Sequence, residues 1–250
     1  MNIAIFENPG ELAKAAGSAA ARLIGEAIES KGTANIILAT GISQFEILNV
    51  LIAQKDITWS KVVMFHLDEY IGMPATHPAS FRKYLKERFI SKLPPLEAAY
   101  LINGETDPNK ECDRLGDIIK NHPIDVGLVG IGENGHLAFN DPPADFETND
   151  PYIVVELDDA CKRQQMGEGW FGSVEEVPHK AISMSIKQIL RSKHIVCSVP
   201  GTRKAVAVKN TLEQAVSNLY PSSILQTHAD CTFYLDKDSS ALLSAKSRTA

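Results

Sequence analysis

No stretch of this chain is apolar for long enough to cross a bilayer: its most apolar runs, 34–39 and 126–131, fall far short of the ~20 residues a spanning helix needs. The sequence therefore reads as soluble, with no membrane partner. Cysteine is scarce, and the four present, Cys112, Cys161, Cys197 and Cys231, never form a CxxC pair. That speaks against a structural zinc site and a disulfide framework, and a reducing cytoplasm fits best. Met1 is followed by Asn2, Ile3, Ala4, Ile5, Phe6 and Glu7, without the basic and long apolar regions of a signal peptide, so export is not expected. No run of Lys and Arg is long enough to follow a phosphate backbone, and 31 acidic against 25 basic residues give a net charge of -6, so nucleic acid is not an expected partner. Gly (16) and Pro (13) stand at ordinary frequencies, which excludes collagen-like and disordered classes. There is no internal repeat, no Ser/Gly linker and no shift in composition, and residues 1–250 read as a single domain.

What is present alternates. Short β-rich runs at 3–6, 35–39, 61–66, 125–130, 152–156, 193–199 and 232–235 are separated by helical periodicity at 11–31, 45–54, 79–89, 109–120 and 202–212. This is the pattern of an α/β fold, an open, mainly parallel, Rossmann-like sheet with helices on both faces. In such a sheet ligands sit beyond the carboxyl ends of the strands, so chemistry is sought just after each strand.

After 35–39 comes Thr40-Gly41-Ile42-Ser43, a small-residue turn opening a helix, where free N–H groups and the helix dipole suit an anion. A structural turn with a Ser cap explains the same residues equally well. The run 61–66 leads into Leu67-Asp68-Glu69-Tyr70, two adjacent carboxylates of which only one points inward. The other is then a surface group or a partner for a nearby helix. The run 125–130 ends in Gly130-Ile131-Gly132-Glu133-Asn134-Gly135-His136-Leu137-Ala138-Phe139-Asn140-Asp141-Pro142, which brings an imidazole and an acid within reach of one strand end. Its glycines follow neither a dinucleotide fingerprint nor a P-loop. Residues 158–172 mix glycines with aromatics and suit a lid, with Arg163 or Lys162 as anion contacts and Gln164 as a donor to hydroxyls. Pro200-Gly201-Thr202-Arg203-Lys204 is a second turn opening a helix, this one cationic.

Taken together, the DEY, NGHxAFN and late RKA segments resemble the glucosamine-6-phosphate deaminase family in order and spacing, over most of the chain. The related 6-phosphogluconolactonases usually show DER and a DGHTAS-like segment, so Tyr70 and Phe139-Asn140 favour the deaminase branch. The resemblance implies conversion of glucosamine 6-phosphate and water into fructose 6-phosphate and ammonia, with a sugar phosphate as ligand and no metal or organic cofactor. It implies Asp68 as the base at C2, His136 as the ring-opening group, and Asp141, where many members carry Glu, as the group that sets the imidazole tautomer. The phosphate would be held by Thr40, Gly41, Ile42, Ser43, Lys204 and a lid cation, Arg163. Asn134 departs from the Asp that many deaminases carry before the GH pair, and the lid departs from better-known members around their phosphate-clamping arginine. Some members are hexamers activated by an N-acetylated sugar phosphate at basic residues downstream of the His motif. A homo-oligomer is compatible with the resemblance, but 137–161 contains no Lys or Arg and is rich in acids, so such activation is not expected. The alternatives are a 6-phosphogluconolactonase-type hydrolase and a non-catalytic sugar-phosphate sensor. Against the sensor, the first core strand starts at Ile3 with no helix-turn-helix ahead of it.

Overall fold

A computed structural model describes residues 1–248. The elements run β1 (Asn2–Phe6), α1 (Pro9–Lys31), β2 (Ala34–Leu38), α2 (Phe45–Ile52), β3 (Val62–His66), β4 (Asp68–Tyr70), α3 (Phe81–Arg88), β5 (Ala98–Tyr100) and α4 (Pro108–Ile119). There follow β6 (Val126–Val129), β7 (Tyr152–Glu156), α5 (Asp159–Gly167), β8 (Lys180–Met184), α6 (Ile186–Leu190), β9 (His194–Val199), α7 (Ala205–Glu213), β10 (Cys231–Asp236) and α8 (Ala245–Arg248).

Seven strands form one sheet in the order β1-β10-β9-β6-β2-β3-β5, with every neighbouring pair parallel. Its central strands are buried along their whole length, and alternate side chains feed opposite layers. Ile36, Leu38 and Met64 pack with Leu12, Ala16, Ala20 and Ile24 of α1 and Leu48 and Leu51 of α2. Ile37, Val63 and Phe65 face the other way, into a core shared with Leu115 and Ile119 of α4, Ile186 and Ile189 of α6, and Val208 of α7. Burying each such side chain contributes about 1.5–3 kcal/mol, so the two layers fix the sheet between them. Helix α1 starts where Asn8 accepts the Glu11 N–H at 3.0 Å and stops at left-handed Gly32, whose N–H returns to the Ile28 carbonyl.

From β2 the chain steps outward through β3 to β5, and from β6 it steps the other way through β9 and β10. The reversal lies between β2 and β6, and a crevice opens beyond their carboxyl ends. A second sheet, β4-β8-β7, is antiparallel and stands beside that crevice. The run 152–156 therefore belongs to this small sheet and not to the parallel one. Strands β4, β5 and β8 were not expected: β4 is hidden by its two carboxylates, β5 reads Ala-Ala-Tyr, and β8 reads Lys-Ala-Ile-Ser-Met, with a single β-branched residue. Residues 159–167, expected as part of a loop, form helix α5, capped by Asp158, which accepts the Cys161 N–H at 2.6 Å. Among the described residues no helix is long and apolar enough to cross a membrane, and all four cysteines are free.

Candidate active site

Strand β4 begins one residue after β3 ends, and its pleat sends Asp68 and Glu69 in opposite directions. Asp68 lines a cavity at the crevice. Glu69 is fully buried behind it and accepts from Ser80 Oγ (2.8 Å), Arg82 N (2.8 Å), Phe81 N (3.2 Å), Tyr70 N (3.0 Å) and Arg82 Nε (3.4 Å). It is the helix partner of the two alternatives, holding the first turn of α3. Burial lifts Glu69 above its ordinary value while those hydrogen bonds pull it back; with donors only around it, the carboxylate form is the one the site is built for. Asp68 has no such set, and burial, reinforced by the neighbouring Glu69, pushes its carboxyl up to about 8.

The glycine-rich turn after β6 folds His136 back against its own start. The His136 carbonyl accepts the Gly132 N–H at 3.0 Å, and the imidazole lies so close that a Cβ on Gly132 would stand 2.3 Å from Cε1. Gly135 has φ 87°, a conformation glycine adopts without strain. His136 Nδ1 is 3.0 Å from Asp141 Oδ1, a close electrostatic contact without an aligned hydrogen bond. Burial alone would raise Asp141, but His136, the Asn134 amide and the Asp158 N–H outweigh it and leave the carboxyl below its ordinary value. Asn134 touches the imidazole nowhere in this network. Its Oδ1 accepts the His136 backbone N–H (3.1 Å), and its Nδ2 donates to Asp141 (3.0 Å) and Asp158 (3.3 Å), so it bridges two carboxylates where an Asp would repel both. Asn140, which with Phe139 distinguishes the deaminase branch in sequence, anchors the same turn to β8 through the Ser183 hydroxyl and the Met184 carbonyl.

On either side of β6, two glycines of positive φ, Gly41 (102°) and Gly201 (92°), each open a short 3-10 turn that runs into a helix, α2 or α7. The first turn is pinned by Tyr84, whose hydroxyl donates to the Gly41 carbonyl at 3.0 Å. Thr40, Gly41, Ser43 and Lys204 join Asp68 and His136 in lining the cavity. Ile42 does not: its side chain is exposed and lines a neighbouring chamber. Lys204 is buried, which draws its ammonium down, while Glu168 and Glu133 draw it back up.

Of the lid residues expected to meet a ligand, Gln164 lines the cavity, whereas Arg163 and Lys162 do not. Cys161, Lys162, Gln164 and Gln165 are the buried residues of α5, while Arg163 turns outward to solvent and away from the cavity. The expectation that Arg163 clamps an anion is therefore corrected. Lys162 is also committed elsewhere, its Nζ 3.1 Å from His179 Nδ1. Gln164 is spent within the protein, its oxygen accepting Glu133 N–H (2.8 Å) and its nitrogen donating to Glu168 (2.8 Å). The cavity gains Gln165 and Glu168, neither foreseen. His136, Asp141 and Cys161 bring three metal-type donor atoms within 4.8 Å of one another. Burial and nearby carboxylates push the Cys161 thiol well above its usual range, so it is an S–H here and a poor ligand.

Comparison with known proteins follows the same outline. The model of the family described as glucosamine-6-phosphate isomerases/6-phosphogluconolactonase matches residues 7–234. A glucosamine-6-phosphate deaminase of Oenococcus oeni is 37% identical over 232 residues, covering 92% of this chain and 95% of that protein. Its counterpart from Listeria monocytogenes is 38% identical over 232 residues, 92% and 97% covered. The solved structure of a monomeric glucosamine-6-phosphate deaminase superposes with a TM-score of 0.86 at 30% identity, over 97% of this chain and 100% of the other. A 6-phosphogluconolactonase from Trypanosoma brucei superposes at 0.80 with 16% identity, over 97% and 98%, a likeness of fold alone.

Proposed function

The chain belongs to the family of glucosamine-6-phosphate isomerases and 6-phosphogluconolactonases, and from that premise we propose that it converts glucosamine 6-phosphate and water into fructose 6-phosphate and ammonia. The observation that carries this reading is that Asp68, after β3, and His136, after β6, the strands on either side of β2, line one cavity beside an anion-type turn and a buried lysine. The substrate's phosphate binds at Thr40, Gly41, Ser43 and Lys204. With Nδ1 turned to Asp141, Nε2 of His136 is the nitrogen left to carry a proton from the anomeric hydroxyl to the ring oxygen, which opens the pyranose.

In the open chain the C2 proton is acidified by the C1 aldehyde. Asp68 removes it as O1 gains a proton and the C2 ammonium gives one up, giving the enolamine; a proton delivered to C1 then leaves an iminium at C2, to which water adds and from which ammonia leaves. The first step requires Asp68 as carboxylate. An empty site whose carboxyl titrates near 8 holds much of it protonated at neutral pH, and the ammonium at C2 of the arriving substrate favours the charged form. Every step is a proton transfer or a water addition, and none calls for a metal. The segment 158–172 acts as a lid, the enzyme works in the cytoplasm, where four free thiols are at home, and its role is in amino-sugar breakdown, including that of N-acetylglucosamine once deacetylated.

The test is direct: purified protein with glucosamine 6-phosphate should release ammonia and fructose 6-phosphate in equal amounts, unaffected by EDTA. Hydrolysis of 6-phosphogluconolactone with no ammonia from the amino sugar would move the chain to the lactonase branch.

A further inference from the structure

The cavity that holds Asp68 and His136 measures about 60 Å³, against roughly 300–1,000 Å³ for an ordinary small-molecule site. Beside it lies a chamber of about 600 Å³ lined by Phe45, Glu133, Arg203 and the exposed Ile42. The two share three residues as a common wall: Ser43, Glu168 and Lys204. What closes the site is thus a carboxylate and an ammonium standing at the anion-type turn.

The placement of Glu168 is unusual for its own helix. It is the C-cap of α5, where the carbonyl end of the helix dipole disfavours negative charge. Across the wall the environment is the opposite. Its Oε2 comes within 3.9 Å of the point where a Cβ would stand on Gly41, at the opening of the turn that precedes α2, and its charge acts on Lys204. Gln164 Nε2 (2.8 Å) and Trp170 Nε1 (3.2 Å) hold the carboxylate in this position. The helix that carries Glu168 gains nothing from the charge, whereas the anion-type turn and Lys204 do.

We propose that Glu168 is an internal anion that fills the phosphate end of the closed, empty site and is exchanged for the phosphate of the substrate. The inference rests on the reading of Thr40–Ser43 and Lys204 as the phosphate site. Binding then requires Glu168 to swing out of the wall, which joins the small cavity to the chamber and admits a hexose phosphate. Glu168 becomes a specificity-determining residue: a ligand without a dianionic group cannot displace it. It also sets KM, because every substrate molecule competes with it.

Inorganic phosphate is the probe, since its binding does not depend on turnover. Glu168→Gln removes the charge and keeps one of the two hydrogen bonds, because its amide offers a single acceptor oxygen to the Gln164 and Trp170 donors, and it should tighten phosphate by about tenfold, the size expected for removing one like charge nearby. KM for glucosamine 6-phosphate should fall in step, with kcat changed much less. Glu168→Asp, which restores the charge, should return both toward the parent values. Phosphate should also change the emission of Trp170 as its indole loses Glu168, a change absent in Trp170→Phe, while Trp59 stays in the core. Weaker phosphate binding in Glu168→Gln, or no phosphate binding by either protein, overturns the proposal. Tighter phosphate binding in Glu168→Gln with no ammonia release by the parent would uphold it and overturn the deaminase reading instead.

Discussion

Asp68 and Glu69 are neighbours with opposite fates because a strand alternates its faces, and the consequence is measurable. Burial, then Glu69, pushes Asp68 up to about 8 from an ordinary 3.8. Between those values the folded protein holds a proton that the unfolded chain has released, so this residue's contribution makes stability fall as pH rises through the window. Asp68→Asn removes the effect, and its melting temperature relative to the parent should be more favourable at pH 8 than at pH 4. The same variant should lose turnover on the order of 10² to 10⁴, as for the loss of one general base. The ascending limb of kcat/KM, which reports the free enzyme, should lie well above the ordinary carboxylate range. A limb near pH 4 would contradict the burial argument. At this scale the sequence told much: that one of the two acids points inward follows from strand geometry alone. That the other caps α3 did not, because Ser80 and Arg82 lie more than ten residues away and no local pattern ties them to Glu69. Asn134 is a similar case. Read alone it is a lost charge beside His136, whereas in the fold its amide joins Asp141 and Asp158. Asn134→Asp should therefore lower the melting temperature at neutral pH and recover in acid as the added carboxyl protonates.

The elements that shape the site are those least visible in sequence. Helix α5 ends in Gly167, with Gly169 and Trp170 close behind it, which suggests a loop, and its buried residues are Cys161, Lys162, Gln164 and Gln165, a pattern that hydrophobic periodicity does not register. Its N-cap, Asp158, also receives Asn134 and gives its N–H to Asp141 at 3.1 Å, so the lid starts on the same network that holds His136. Asp158→Ala should cost about 1 kcal/mol for the cap, seen as a lower melting temperature, and should loosen substrate binding, seen as a higher KM. The turn after β6 makes a stricter demand. Gly132→Ala places a methyl 2.3 Å from the imidazole, and should lower kcat sharply while the secondary-structure signal by circular dichroism stays at the parent level. Unchanged kcat would mean that the ring position is not what the turn fixes.

Across the whole molecule, the alternation of strand and helix was enough to foresee the parallel sheet, because central strands buried on both faces read as short apolar runs. The strand order was not foreseeable, and it is the order that puts β2, β6 and β9 side by side so that two glycine turns flank the histidine turn. The small antiparallel sheet escaped because β4 is built around a functional acid and a capping acid. Charge distribution is legible more directly. From 137 to 161 there is no Lys or Arg, and Lys180 and Lys187, which the fold brings to that stretch, are paired with Glu156 and Glu147, so an anionic activator is not expected there. Initial rates should be hyperbolic in glucosamine 6-phosphate and unaffected by N-acetylglucosamine 6-phosphate; sigmoidal curves made hyperbolic by that compound would refute the inference.

The claim on which the rest depends is that Asp68 takes the C2 proton. Glucosamine 6-phosphate deuterated at C2, given to the parent and to Asp68→Asn, tests it in one measurement. The account predicts that the parent removes deuterium from C2 for every ammonia released, and that Asp68→Asn loses both processes together by the same large factor. Near-parental ammonia release by Asp68→Asn, or ammonia released with deuterium still at C2, would contradict it.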